Sequence, residues 1–266
     1  MFWLAQIRKD FLWDFSYKIT FFGQFFGIIL TVFTFFFISK TFEESSSVHM
    51  EIYENNYFLF AIIGISIVDL ISLSLRSATK SIRDAQAFGY IDYLLNAKIS
   101  YSYLIFCSMI YPSIIGLLKI ICYFLLASQF KELELSLINS LIVIALSIIT
   151  LLPFLALGLF AASFVLYFKQ GDPVNFLISL IISIFSGVVF PITVLPENLR
   201  AISEAIPLTY GLDLVRKVVI FNSLENIDLS HILLMLLYGL VFMILGTILV
   251  NRVVFKIKLK GISGSY

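Results

Sequence analysis

Apolar residues fall into six long runs along the chain, at 21–38, 57–75, 103–127, 137–168, 174–189 and 232–255. A hydrocarbon layer about 30 Å thick takes roughly 20 residues of α-helix, so each run predicts a membrane crossing. The 137–168 run is too long for one straight crossing, and Pro153 within it is expected to kink the helix unless its end protrudes into the cytoplasm. Ahead of the first run, Trp3, Ile7, Phe11 and Phe15 recur at every fourth position, while Arg8, Lys9, Asp14 and Lys18 take other faces. That period predicts a helix over 1–18 lying in the membrane interface. The run behind it is longer than a signal-peptide core, and no small-residue cleavage pattern follows it. The expected fold is all-α and integral to the membrane, one domain over 1–266, with no internal repeat and no soluble linker.

Composition agrees. Of 266 residues, 60% are hydrophobic, 28 of them Phe, and only 13% are charged, too few to cover that apolar surface in water. A net charge of +1 offers no general attraction to nucleic acid. The position of the charges says more than their sum. With the N terminus cytoplasmic, twelve of the eighteen Lys and Arg lie inside. Five, namely Lys40, Lys131, Arg200, Arg216 and Lys217, lie outside, and Lys119 falls within the third run. By the positive-inside rule both termini are cytoplasmic. Glu43, Glu44, Glu51 and Glu54 then form a solvated acidic cap on the first outer loop.

Cys107 and Cys122 share one apolar run, which suits helix packing better than a disulfide or a zinc site. His49 and His231 stand alone, without a second ligand at metal spacing, and read as surface residues. No metal site and no catalytic residue is assigned. No G-x-x-x-x-G-K-[ST] loop occurs, so the chain supplies no P-loop ATP site of its own.

An ionisable residue inside a span is a candidate functional group by default. Ser66, Asp69, Arg76, Lys80 and Arg83 follow one another at helical spacings, so one face of the second span turns steadily more polar toward the cytoplasm. Either that face, with Ser66, Asp69 and Arg76, lines a route open to the inside, or Asp69 is neutral or paired and only packs helices. Lys119 in the third span is the opposite charge available to it. Counting at ~1.5 Å per residue sets Lys119 roughly 9 Å farther outward than Asp69, a gap that a long side chain partly bridges.

Two connecting segments stand out. Between the second and third spans, 88–100 places Ile91, Leu94 and Leu95 on one face, with Asp92 and Lys98 elsewhere, predicting a short amphipathic cytoplasmic helix. After the fifth run, 190–213 holds Pro191, Pro196 and Pro207 in a stretch apolar enough to touch membrane but broken too often to cross it as one helix. Irregular backbone at that depth must be buried in protein or line a cavity, so a re-entrant element is expected. Leu199, Ile202, Ile206 and Tyr210 give its second arm an apolar face.

On these residues the chain resembles the membrane (permease) subunit of ATP-binding-cassette (ABC) transporters of type 2. Phe190-Pro191 to Leu195-Pro196 is similar to that family's P-x-x-x-L-P. The stretch Ile206 to Arg216, with Pro207, Tyr210, Asp213 and Arg216, is similar to its P-x-T-Y-x-x-D-x-x-R. Gly89-Tyr90-Ile91-Asp92-Tyr93-Leu94-Leu95 is similar to its coupling segment, although Ala97-Lys98 stands where many members have a small residue and then Pro.

The resemblance implies an exporter in which two permease copies, as a homodimer or related heterodimer, sit on two separate ATPase subunits that bind ATP and Mg. Phe88, Gly89, Tyr90, Asp92, Leu94 and Leu95 would dock on the ATPase, and the re-entrant segment would shape the outer end of the route. It also implies a plasma-membrane location, the inner membrane of a bacterium, and a drug, lipid or lipid-linked glycan as substrate. An ion-coupled secondary transporter is the alternative. The spans lack the chain of Asp, Glu or His that a proton relay needs, which disfavours it.

Overall fold

A computed structural model describes residues 2–43, 56–130, 136–168, 173–221 and 228–260. The side chains of the expected acidic cap lie outside the described part, as do His49, Lys131 and Lys169. All regular structure among the described residues is helical. The helices are α1 (Phe2–Ser16), α2 (Lys18–Glu43), α3 (Tyr57–Ala87), α4 (Ile91–Leu95), α5 (Tyr101–Ala127), α6 (Leu137–Phe168), α7 (Pro173–Phe185), α8 (Glu197–Ala205), α9 (Pro207–Ile220) and α10 (Leu229–Lys260), with a 3-10 turn at Ile192–Val194.

Five of these, α2, α3, α5, α6 and α10, are long and apolar enough to cross a membrane. The fold is that of an all-α integral membrane protein. The expected fifth crossing over 174–189 is shorter as a helix. α7 has 13 residues, about 20 Å, because the chain leaves the helix at Ser186 and turns through Gly187 at φ 71°, a left-handed conformation open mainly to glycine. α6 is one helix of 32 residues that continues through Pro153.

α3 is the central helix, with most of its first 29 residues buried in protein. Asn56 caps its start, its side-chain oxygen accepting from Leu59 N at 3.2 Å. At 31 residues it measures about 46 Å, roughly 16 Å more than the hydrocarbon layer. Its last turns carry Lys80 and Arg83, which make this the basic end of the helix. Small residues let its neighbours approach. A Cβ on Gly116 of α5 would stand 2.5 Å from Leu70 Cδ1, and one on Gly158 of α6 would overlap Met109. Such close backbone contacts are how helices associate where no water drives them together.

α7 lies along α3 in the opposite direction. Near its start the buried Asn175 amide donates to Leu75 O (3.1 Å) and Thr79 Oγ1 (3.0 Å). Just past its end, the Val188 carbonyl lies where a Cβ on Gly64 would be.

α1 is amphipathic, but its two faces are not arranged as the spacing of aromatics suggests. Gln6, Ile7, Asp10 and Asp14 are half-buried on the side that meets α5, while Trp3, Phe11, Trp13 and Phe15 point outward. Gln6 Nε2 donates to Asp10 Oδ2 at 3.1 Å. Burial lifts the Asp10 carboxyl above its ordinary range, against the lowering effect of neighbouring Lys9.

Candidate functional site

The polar face of α3 lines a groove of about 390 Å³ between α2, α3 and α5. α3 contributes Ile65, Val68, Asp69, Ser72, Leu73 and Arg76, positions spaced by three and four along one face. α2 brings Gln24, Gly27, Ile28 and Thr31 in the same rhythm, and α5 brings Lys119 and Tyr123. Lys119 Nζ donates to Asp69 Oδ2 at 3.1 Å, with the lysine side chain 6% and the aspartate 30% exposed. The gap expected from counting along the spans closes because Gly116 seats against Leu70. From that contact Lys119 is only about 3 Å farther along than Asp69.

Of the other residues assigned to a route, Arg76 is exposed at the groove's basic end, and among the described residues no carboxylate pairs with it. Ser66 stands apart. It is fully buried, and its hydroxyl donates to Ile63 O at 2.9 Å, turned away from the groove. Gln24, Thr31 and Tyr123 were not singled out from sequence, although the period of 24, 27, 28 and 31 and the i,i+4 relation of 119 to 123 carry the signal.

An aromatic cluster lies toward the starting end of α3. Phe36 of α2, Phe58 of α3 and Phe130 after α5 meet there, with ring centroids 5.8 Å apart for Phe36 and Phe58 and 4.7 Å apart for Phe36 and Phe130. Beside this cluster the buried Arg216 of α9 fastens three segments. Its Nη2 donates to Phe60 O (3.1 Å) and Val188 O (3.0 Å), and its guanidinium lies 3.4 Å from the Phe60 ring centroid.

Pro191 precedes the 3-10 turn, Pro196 caps α8 and Pro207 opens α9, so each proline sits at the edge of an element. The second arm is therefore two helices broken at Ile206–Pro207. Leu199 and Ile202 are exposed on α8, and Ser203 is its buried residue. α9 is buried along most of its length, and Gly211 permits its approach to Thr150 of α6.

Tyr210 and Asp213 gather around His231, which corrects the reading of that histidine as an isolated surface residue. His231 Nδ1 lies 3.9 Å from Asp213 Oδ2 and its Nε2 lies 3.8 Å from Asp228 Oδ2, while its ring is 4.8 Å from that of Tyr210. Asp213 also pairs with Lys217 at 2.8 Å. Tyr210 and Asp213 come from α9 and His231 from the first turn of α10, so local spacing reveals the Asp228–His231 and Asp213–Lys217 contacts but not the meeting of the two helices. Among the described residues no group of His, Cys, Asp and Glu has the arrangement of a metal site.

At the basic end, α3 runs through Ala87 into a tight turn at Gly89, φ 72°, and then into α4. Ile91 and Leu95 are buried in the main core and Leu94 packs against it, whereas Phe88 (69%) and Tyr93 (82%) are exposed. Tyr90 is half-buried, and burial raises its phenol above the ordinary value. Asp92 lines a small pocket with the last turns of α10 at Ile257 and Lys258.

The profile of the ABC-2 type transporter family covers residues 5–220. The chain belongs to the ABC-2 type transporter family. No curated protein matches it individually. An ABC-2 permease is the membrane transport subunit of an ABC transporter. It is not itself catalytic, and it works in a membrane with an ABC ATPase. In this permease the match ends at Ile220, the last residue of α9, so α10 lies beyond it.

Proposed function

We propose that this permease is the route-forming subunit of an ATP-driven exporter for a hydrophobic or amphipathic molecule. The observation that supports this most is the continuity of α3. One helix carries Asp69 and Arg76 on the groove and then runs directly into the 88–95 turn and helix. A load applied to exposed Phe88 and Tyr93 is thereby transmitted to the groove wall as rigid-body motion. In this reading 88–100 is cytoplasmic and docks on the ATPase, which holds ATP and Mg. Both termini are cytoplasmic, and the assembly, two permeases on two ATPases, sits in the plasma membrane.

α7 with Ser186 to Val189 makes the remaining crossing, since it runs from the level of Leu75 and Thr79 on α3 to that of Gly64. The segment from Phe190 through α9 is re-entrant from the outer side. The groove is then open toward the inside and shut outward by Phe36, Phe58 and Phe130. ATP binding on the partners would reverse that state.

The test is ATPase stimulation by the permease, using the ABC ATPase that co-purifies with it in mild detergent. Leu94→Asp places a charge on the packed side of α4. Gly89→Ala strains a left-handed residue whose Cβ would otherwise meet open space, at a cost of about 1–2 kcal/mol. Both should reduce stimulation severalfold or more while leaving membrane insertion intact. Normal stimulation in both variants would remove 88–95 from the coupling role. Transport by the permease alone, driven by an ion gradient without ATP, would overturn the exporter reading.

A further inference from the structure

The groove has a polarity of its own along its length. Partway along it the Asp69 and Lys119 charges cancel across 3.1 Å. At its basic end Arg76 is exposed, and among the described residues it has no carboxylate partner. The net charge left on the lining is therefore a single positive one, at one end. Arg76 lies 19 residues after the first residue of α3, about 28 Å down the helix, a length close to the roughly 30 Å thickness of a hydrocarbon layer. Between Arg76 and the ion pair α3 brings Ser72 and Leu73 to the lining, and α2 adds Ile28 and Gln24, so the walls there mix aliphatic and neutral polar side chains and carry no further charge.

The volume, about 390 Å³, is within the roughly 300–1,000 Å³ of small-molecule sites. The α2 wall is also set back. A Cβ on Gly27 would meet nothing within 4 Å, so space remains beside the helix where any larger residue would fill it.

We infer that the groove takes an amphiphile with an anionic headgroup, the phosphate or carboxylate on Arg76 and the apolar tail along Leu73 and Ile28. A guanidinium at the edge of a membrane is suited to a planar or tetrahedral oxyanion through paired N–H donors. The ion pair farther along gives the tail's far end a polar boundary and limits how deeply a chain inserts. This inference rests on the exporter reading for what the site is for, but binding itself needs neither ATP nor the ATPase.

The test uses the purified full chain in a neutral detergent and tail-labelled phosphatidylglycerol, with the diacylglycerol of the same tails as an uncharged control. Fluorescence anisotropy titrations should show phosphatidylglycerol binding about tenfold more tightly. Arg76→Gln, at an exposed position on a helix that the change does not disturb, should abolish that preference and leave diacylglycerol binding unchanged. Gly27→Leu should weaken both lipids by filling the space beside α2. Glycerol 3-phosphate, the headgroup without tails, should not displace the lipid at equal concentration.

Equal preference in wild type and Arg76→Gln would overturn the ligand class. Unchanged binding in Gly27→Leu would overturn the groove as the site, and efficient displacement by glycerol 3-phosphate would mean a free anion in place of an amphiphile. If these binding results fail while ATPase stimulation stands, the ligand is wrong and the exporter reading is not. Intact binding with no stimulation would have the opposite meaning.

Discussion

Replacing Arg216 by Met should unfasten α9 from α3 and from the turn after α7. The guanidinium makes two charge-assisted hydrogen bonds, to Phe60 O and Val188 O, and stacks on the Phe60 ring. Each such bond has a net worth of about 1.5–3 kcal/mol, and a desolvated cation over an aromatic ring adds about 2. The change also removes a buried charge whose desolvation costs several kcal/mol, so the gross figure is not the net one. Phe60 O lies in the first turn of α3, where the helix ladder already supplies a donor. Val188 O lies outside any helix, and leaving it unsatisfied costs about 1–3 kcal/mol. The expected net loss is therefore about 2–4 kcal/mol, or a fall of roughly 5–15 °C in apparent melting temperature for a chain of this size.

Cys107 is fully buried, so its reaction with a fluorogenic maleimide on heating, in a Cys122→Ser background, reads this unfolding. Arg216→Lys keeps the charge but loses the planar stack, and should melt between wild type and Arg216→Met. A shift under 2 °C in Arg216→Met would refute the view that this residue holds the three segments together.

Two further outcomes follow from the ion pair and from α1. Asp69→Asn strands a lysine that is 6% exposed, so it should destabilise the protein more than Asp69→Asn combined with Lys119→Met does, with a coupling of about 1 kcal/mol or more by the same maleimide assay. Losses that simply add would mean the two groups do not depend on each other. The raised Asp10 carboxyl favours the protonated form in the folded state. That stability is fully present below the ordinary value of 3.8 and is lost as pH rises through the higher folded value. Asp10→Asn should accordingly raise the melting temperature at pH 7, with the gain shrinking toward pH 4. A destabilised Asp10→Asn at pH 7 would show that the charged carboxylate contributes more than its burial costs.

The long apolar helices were legible because hydropathy depends on composition over twenty residues and tolerates errors at the ends. α3 outran its apolar run by twelve residues, since Lys80, Arg83 and their neighbours are adequate helix formers once a membrane is no longer required around them. The break after Phe185 was not legible. It depends on Gly187 adopting a positive φ, which the residue type permits but does not compel. The Asp69 and Lys119 pair was readable as an opportunity, but its register was not, because the depth of one helix against another is set by where Gly116 meets Leu70. Ser66 shows the limit of spacing arguments. It shares a side with Asp69 closely enough to be grouped with it by period, yet three residues of helix turn it about 60° from alignment, enough to face the interior. The meeting of His231 with Tyr210 and Asp213 depended on tertiary contact between α9 and α10.

The outward turn of the α1 aromatics has an optical consequence. Both tryptophans of the chain, Trp3 and Trp13, are in this one helix, 38% and 50% exposed. Intrinsic tryptophan emission from the protein therefore reports the surroundings of α1 and little else. Brominated lipids should quench it according to the depth at which that helix lies. The packing of α2 to α10 can come apart with almost no change in that emission, provided α1 stays at the lipid surface.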